Sequence, residues 1–296
     1  MTNPQPDRLE RLVTAASERE VPAEVTTIAD AVRDAVGEAA VAVLAYGSCL
    51  RGVSTDDSLV DLYVLVGGYD RLAGNRVLRL LNRLIPPNVY YAECRHGPRV
   101  IRAKYAVVSL VQFERRVAPE TRNPYFWARF AQPTAIVFAD SAQTRARVLR
   151  ALCRAAEIMV GEGRRLAGSD ADPEALWVAA LTATYATELR SEGPARAREI
   201  VAANRDFYRA VAEATTSGNA GTGGGSRAVR RIEGKALSVA RLIKAAFTFA
   251  GGADYLAWKI ARHSGVAVEL TPWQRRHPIL AALVLFPRLY ARGGFR

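Results

Sequence analysis

The chain has 296 residues, half of them hydrophobic and about a quarter charged, a composition that folds and a length that suits one large domain or two ordinary ones. Three scattered cysteines (Cys49, Cys94, Cys153), odd in number and without CxxC spacing, argue against a disulfide framework or a cysteine zinc site and for a reducing compartment. Of the net charge of +12, a balance of +10 lies between Ser226 and Arg296, where thirteen Lys or Arg face only Glu233, Asp254 and Glu269, so an anionic surface is expected as a partner of that block.

The opening MTNPQPDRLERL has no apolar stretch behind its charges, and no secretory signal is expected from it. Leu9, Leu12, Val13, Ala16, Ile28, Val32 and Val36 recur at helical intervals, which predicts one or two amphipathic helices over residues 7–37. AAVAVLAYGS then reads as a buried strand running into a Gly-Ser turn, and LVDLYVLV as a second strand. RLAGNRVLRLLNRLIPPN predicts a helix closed by Pro86 and Pro87. VYYAEC and IRAKYAVVSL are strands around a His-Gly-Pro turn, and PTAIVFA is a last strand. Residues 1–140 are thus an α/β or α+β domain with N-terminal helices. From Ala142 to Tyr208 the pattern is helical, so residues 141–214 form a helical domain. Residues 215–226, TTSGNAGTGGGS, have linker composition, and 227–296 form a basic helical segment.

YGSCLRGVSTDDSLVDLYVLV, residues 46–66, carries the chemistry. Nucleotidyl transfer builds negative charge on a triphosphate, and divalent cations held by carboxylates neutralise it beside a backbone able to approach phosphate. Gly47 permits that approach, Ser48 and nearby N–H groups can bond a phosphate oxygen, and Asp61 can reach a metal from the neighbouring strand. Gly-Ser, a loop of about a dozen residues and Asp before apolar residues is similar to the signature of the nucleotidyltransferase (polymerase β-like) fold. Tyr63 stands where that signature has a second carboxylate.

PPNVYYAE, RVIRAKYAVVSLVQFE, YFWARFAQPTAIVFA and YATELRSEGPARAREIVAANRDFY follow in this order. Together with the Gly-Ser motif they resemble the peripheral, mitochondrial-type phosphatidate cytidylyltransferases (CDP-diacylglycerol synthases) and their bacterial relatives, over roughly residues 40–215. In that family the Asp is not followed by a second carboxylate, so Tyr63 is expected. The positions that match are Gly47, Ser48 and Asp61; Tyr90 and Tyr91; Lys104 and Tyr105; Arg129 and Pro133; and Tyr185, Glu188 and Arg190. Glu188 replaces the family's Asp, and a His/Asn-rich stretch of mitochondrial members is missing. The resemblance implies an α+β nucleotidyltransferase domain followed by a mostly helical domain. It implies an enzyme joining CTP to phosphatidate with Mg2+, in which Asp61 holds the metal and Asp61 and Lys104 are catalytic. Gly47, Ser48, Lys104, Arg129, Glu188 and Arg190 would bind the nucleotide.

Each residue also has a plain structural reading. Asp61 could cap a strand, Lys104 could face solvent, Arg129 could snorkel over a core edge, and Glu188 with Arg190 could lie on a solvated helix face. Glu93 and the Asp56–Asp57 pair are further ligand candidates, whereas His96, His263 and His277 are too dispersed for a cluster and read as structural.

The last segment adds a membrane reading. Ile279 to Phe286 is an apolar run of eight residues, far below the roughly 20 needed to span a bilayer. Trp273, Arg275 and Arg276 precede it and Arg288, Tyr290, Arg292 and Arg296 follow, which describes a segment lying in a membrane interface; a buried C-terminal helix is the alternative. The expected protein is cytoplasmic and peripheral on the inner face of the cell membrane, with CTP, phosphatidate and an anionic membrane surface as partners and no nucleic acid. The rival classes are a nucleotidyltransferase acting on a soluble acceptor or tRNA, and a non-catalytic nucleotide- or membrane-binding protein.

Overall fold

The computed structural model describes residues 7–51, 59–72, 80, 83–121, 123–187, 193–215, 236–237, 241 and 270–276. Half of the helix expected over residues 71–88 falls outside them, as do Asp56, Asp57, Glu188, Arg190, His263, His277, Arg288 and the apolar run 279–286.

The chain opens with α1 (Arg8–Ser17) and α2 (Ala23–Val36), as the helical spacing predicts. Asp7 caps α1 by accepting the Glu10 N–H at 2.7 Å. Five strands follow: β1 (Ala40–Tyr46), β2 (Val60–Val66), β3 (Asn88–His96), β4 (Arg99–Ser109) and β5 (Thr134–Ala139). They form one mixed sheet in the order β3-β4-β2-β1-β5, in which only β2 and β4 run parallel. Between β4 and β5 lie two short helices, α3 (Leu110–Arg116) and α4 (Tyr125–Phe130), which the sequence pattern did not announce. Then come α5 (Ala142–Ala167), α6 (Pro173–Tyr185), α7 (Pro194–Ala202), α8 (Arg205–Ala214) and α9 (Pro272–Arg276). The fold is α+β.

β1 and β2 are apolar almost throughout because both sheet faces are covered. On one face α2 lays Val25, Ile28 and Val32 over Val43, Leu62, Val64 and Val66, all fully buried. The other face carries Leu44, Tyr63, Leu65 and Val108, and the other long helices among the described residues pack there in one continuous core running from Leu9 to Ala212. The helical stretch that begins at Ala142 therefore shares its core with the sheet. Each fully buried aliphatic side chain contributes about 1.5–3 kcal/mol to either layer.

Polar contacts fix the second layer's geometry. Ser141 caps α5 by accepting the Thr144 N–H at 3.1 Å. Arg147 on α5 grips Glu114 on α3 through two bonds of 2.8 and 2.7 Å. The Trp177 indole N–H donates to the Tyr208 carbonyl at 2.8 Å, tying α6 to α8. α5 and α6 approach closely at Gly163, where a Cβ would meet the Leu176 carbonyl oxygen at 2.6 Å.

Candidate functional site

The strand register gathers the sequence-predicted residues. Tyr91, Lys104, Asp61, Tyr46 and Thr134 pair in turn across all five strands, and so form one transverse row on the face opposite α2. The next row, two residues along, is Val89, Ala106, Tyr63 and Leu44, which is apolar and buried apart from half-buried Val89. Asp61 therefore stands where the core meets the cavity.

At the end of β1 the chain turns sharply. Gly47 has φ 84°, a left-handed conformation that glycine adopts without strain, and begins a 3-10 turn over Gly47–Arg51. A Cβ at Gly47 would lie 3.4 Å from the Asp61 Oδ2, an ordinary contact distance, so the turn and the carboxylate are immediate neighbours. The Cys49 thiol donates to the Tyr46 carbonyl at 3.3 Å and closes the turn from inside. Cys49 is thus a buried structural thiol.

These groups line a cavity of about 230 Å3 with walls from Tyr46, Gly47, Ser48, Asp61, Tyr125, Arg129, Gln132, Tyr185, Arg196 and their neighbours. That volume lies below the roughly 300–1,000 Å3 of common small-molecule pockets and suits phosphate groups better than a whole nucleotide. A second recess, about 600 Å3, lies between α2 and β5; Arg19, Glu20 and Asp30 line it with mixed charge. The smaller cavity is the one with converging cations.

Arg129 comes from α4, the aromatic YFWARF helix, whose Phe126, Trp127 and Phe130 are buried and leave Arg129 at the cavity. Its Nη1 donates to the Tyr46 hydroxyl at 2.9 Å, and its guanidinium carbon lies 5.3 Å from the Tyr46 ring centre and 4.5 Å from that of Tyr125. Arg241 approaches the same ring: its guanidinium carbon is also 4.5 Å from the Tyr125 centre, and its Nε donates to the Pro86 carbonyl at 3.1 Å. Lys104 does not line the cavity; it stands one strand from Asp61, in register with it.

The charges around the tyrosines set the local potential. Burial alone would raise the Tyr125 phenol, yet Arg129, Arg241, the bond from Tyr63 and Lys104 together lower it below its ordinary value. Burial raises the Tyr46 phenol despite Arg129, with Asp61 adding to the rise. The cavity is electropositive at Tyr125 and holds its carboxylate at the Tyr46 side. The Arg129 and Arg241 guanidinium carbons each lie 4.5 Å from the Tyr125 centre, so they are at most twice that distance apart and repel by roughly 2 kcal/mol or more at an effective dielectric near 20.

Tyr63, at the position of the absent second carboxylate, is fully buried with its ring 4.9 Å from Phe130 and 6.0 Å from Phe126. Its hydroxyl donates to the Tyr125 oxygen at 3.3 Å. Among the described residues no group of three or more His, Cys, Asp or Glu could hold a metal by itself. Magnesium, however, is commonly bound through one or two carboxylates with substrate phosphates and water completing its shell. Asp61, the one carboxylate among the described residues that line this cationic cavity, fits a metal that arrives with a nucleotide.

The other candidates lie apart. Glu93 sits farther along β3, 3.7 Å from Arg102 and accepting the Tyr91 hydroxyl at 3.1 Å, so it is outside the cavity. His96 Nδ1 lies 2.8 Å from the Thr27 hydroxyl of α2, a structural contact. Trp273 is 51% exposed on α9, whose start is capped reciprocally by Thr271 and Gln274. Tyr125, Gln132, Arg196 and Arg241 were not picked out from sequence. Gln132 donates to the Ala128 carbonyl at 2.7 Å and reaches the Tyr185 hydroxyl at 3.5 Å. Compared with known proteins, the chain matches no protein-family model and no curated protein.

Proposed function

We propose that the protein is a nucleotidyltransferase of polymerase β-like fold that transfers the cytidylyl group of CTP to phosphatidate, giving CDP-diacylglycerol and pyrophosphate. The observation that carries the reading is the meeting of the Gly47-Ser48 turn, the Asp61 carboxylate and the Arg129 and Arg196 side chains at one cavity. CTP and phosphatidate, as distinct from other nucleotides and acceptors, come from the resemblance of residues 40–215 to the phosphatidate cytidylyltransferases.

A phosphatidate oxygen attacks the α-phosphorus of CTP in line, the bond to the oxygen bridging to the β-phosphorus breaks, and that oxygen leaves with pyrophosphate. The attacking phosphate is already an anion, so the step needs positioning and charge neutralisation more than a base. Ser48 and the turn at Gly47 seat phosphate oxygens, while Arg129 and Lys104 offset the charge that builds on them. Asp61 would hold Mg2+, which when bound neutralises the triphosphate as a Lewis acid.

For the lipid, Trp273 and the basic residues around it support a peripheral approach, and among the described residues no helix is long and apolar enough to cross a membrane. Removing residues 272–296 should abolish sedimentation with anionic vesicles and leave CTP affinity intact; vesicle binding like that of the full chain would refute the lipid role of this segment.

The deciding experiment incubates the purified protein with labelled CTP, phosphatidate in mixed micelles and Mg2+. Label should pass into the lipid phase, with CTP strongly preferred over ATP and GTP. Comparable turnover of ATP without lipid would favour a soluble acceptor. CTP binding with no transfer would favour a nucleotide-binding protein, a reading that the burial of Tyr63 in place of a second carboxylate supports.

A further inference from the structure

An arginine side chain is rich in rotamers, and a guanidinium that is to offset charge at one point must be held there. Tyr46 supplies a hold on Arg129. It ends β1, in register with Asp61 and lining the same cavity, with only 8% of its surface exposed. Its hydroxyl accepts a hydrogen bond from Arg129 Nη1 at 2.9 Å, and its ring centre lies 5.3 Å from the guanidinium carbon. The bond joins residues 83 positions apart and ties α4 to the end of β1. Tyr125 offers a second ring, 4.5 Å from the same carbon. That ring is itself fixed, because its hydroxyl accepts from Tyr63 at 3.3 Å and its backbone N–H donates to Asn123 Oδ1 at 2.9 Å.

We propose that Tyr46 is a positioning residue, whose hydroxyl orients the Arg129 guanidinium for the transfer step without neutralising its charge. This rests on the nucleotidyltransferase reading and adds to it the group that aims its cation. A carboxylate in this place would hold Arg129 as firmly, but it would cancel the positive charge. A phenol orients without that loss. Burial, the largest influence on Tyr46, raises its pKa, so the hydroxyl keeps its proton and stays neutral beside Arg129. Phenylalanine would keep the ring against the guanidinium and remove the acceptor alone. A cation oriented before the substrate arrives acts on the charge that develops during the reaction more than on ground-state affinity.

The test is a double-substitution cycle on cytidylyl transfer from CTP to phosphatidate with Mg2+, using Tyr46→Phe, Arg129→Gln and the two combined. Tyr46→Phe alone should lower kcat about tenfold and leave KM for CTP within about threefold. On the Arg129→Gln background the same change should matter by less than about twofold. Equal losses on both backgrounds would show that Tyr46 acts without Arg129 and would overturn the proposal. So would a Tyr46→Phe protein that keeps kcat, or one that does not fold. A second arm needs no activity: NMR of arginine-labelled protein follows the Arg129 guanidinium, identified by its absence in Arg129→Gln. Wild type should show separate Nη protons, as hindered rotation requires, and Tyr46→Phe should average them. Averaged protons in wild type, or separate ones in Tyr46→Phe, would also overturn the proposal. A wild type that transfers nothing would overturn the proposed function and leave the hold on Arg129 to be decided by the NMR arm.

Discussion

The two faces of the sheet are built from the same strands but to different rules. Against α2, β1 and β2 present Val43, Ala45, Leu62 and Val64, with Tyr90 and Tyr105 stacked 5.2 Å apart toward the edge. On the opposite face, one residue out of phase, they present Tyr46, Asp61 and Tyr63. The first face is a plain apolar layer that could be repacked with side chains of similar volume. The second is apolar until its last row, where Asp61 and Lys104 flank buried Tyr46, whose hydroxyl accepts from Arg129. Because strand side chains alternate, a single strand can serve stability and chemistry at adjacent positions. Substitutions at neighbouring residues should therefore have unlike consequences.

The largest effect is expected at Tyr63, where the polymerase-like signature has its second carboxylate. Tyr63→Glu would place an unpaired charge among Phe113, Phe126 and Phe130 and should cost about 3–5 kcal/mol in urea denaturation. A stable variant with faster transfer would show that this row belongs to the site and would break the comparison. One residue away, Leu62→Ala should cost about 2–5 kcal/mol on the α2 face. Its CTP affinity per folded molecule should match wild type; a large loss would mean that the faces are not independent.

Gly47→Ala should be smaller in stability, about 1–2 kcal/mol for a left-handed residue. It should nevertheless weaken CTP binding, since relief of the left-handed strain would shift the turn that seats the phosphates. Loss of stability with unchanged CTP affinity would place the nucleotide elsewhere. The mildest effect concerns alkaline pH. Burial, then the neighbouring Tyr90, pushes the Tyr105 phenol from 10.0 up to about 12. The unfolded chain loses this proton first, so the contribution is complete below pH 10 and fades as pH rises toward 12. Tyr105→Phe should make thermal stability fall less steeply across that window; an unchanged slope would remove Tyr105 from the account.

Much of this was legible because it is local. The apolar runs around Val43 and Val64 announce β1 and β2, and Gly47-Ser48 followed by Asp61 announces the turn and its carboxylate. The six-residue α4 is too short for helical periodicity, so Arg129 was readable only as a basic residue in an aromatic stretch. Lys104 looks solvent-facing in isolation, because strand alternation does not reveal the parallel register that sets it beside Asp61. Arg241 was illegible for a related reason: its partners, Pro86 and Tyr125, are distant in sequence.

The central claim is that Asp61 anchors a metal-bound nucleotide at the end of the polar row. It is tested most directly by phosphatidate- and Mg2+-dependent pyrophosphate release from CTP, measured for wild type and Asp61→Asn side by side. An amide is a much poorer ligand for a hard cation. The account predicts an unchanged thermal transition and a rate below about a tenth of wild type, a loss of at least 1.4 kcal/mol at the transition state. A folded Asp61→Asn protein that keeps more than that rate would contradict it.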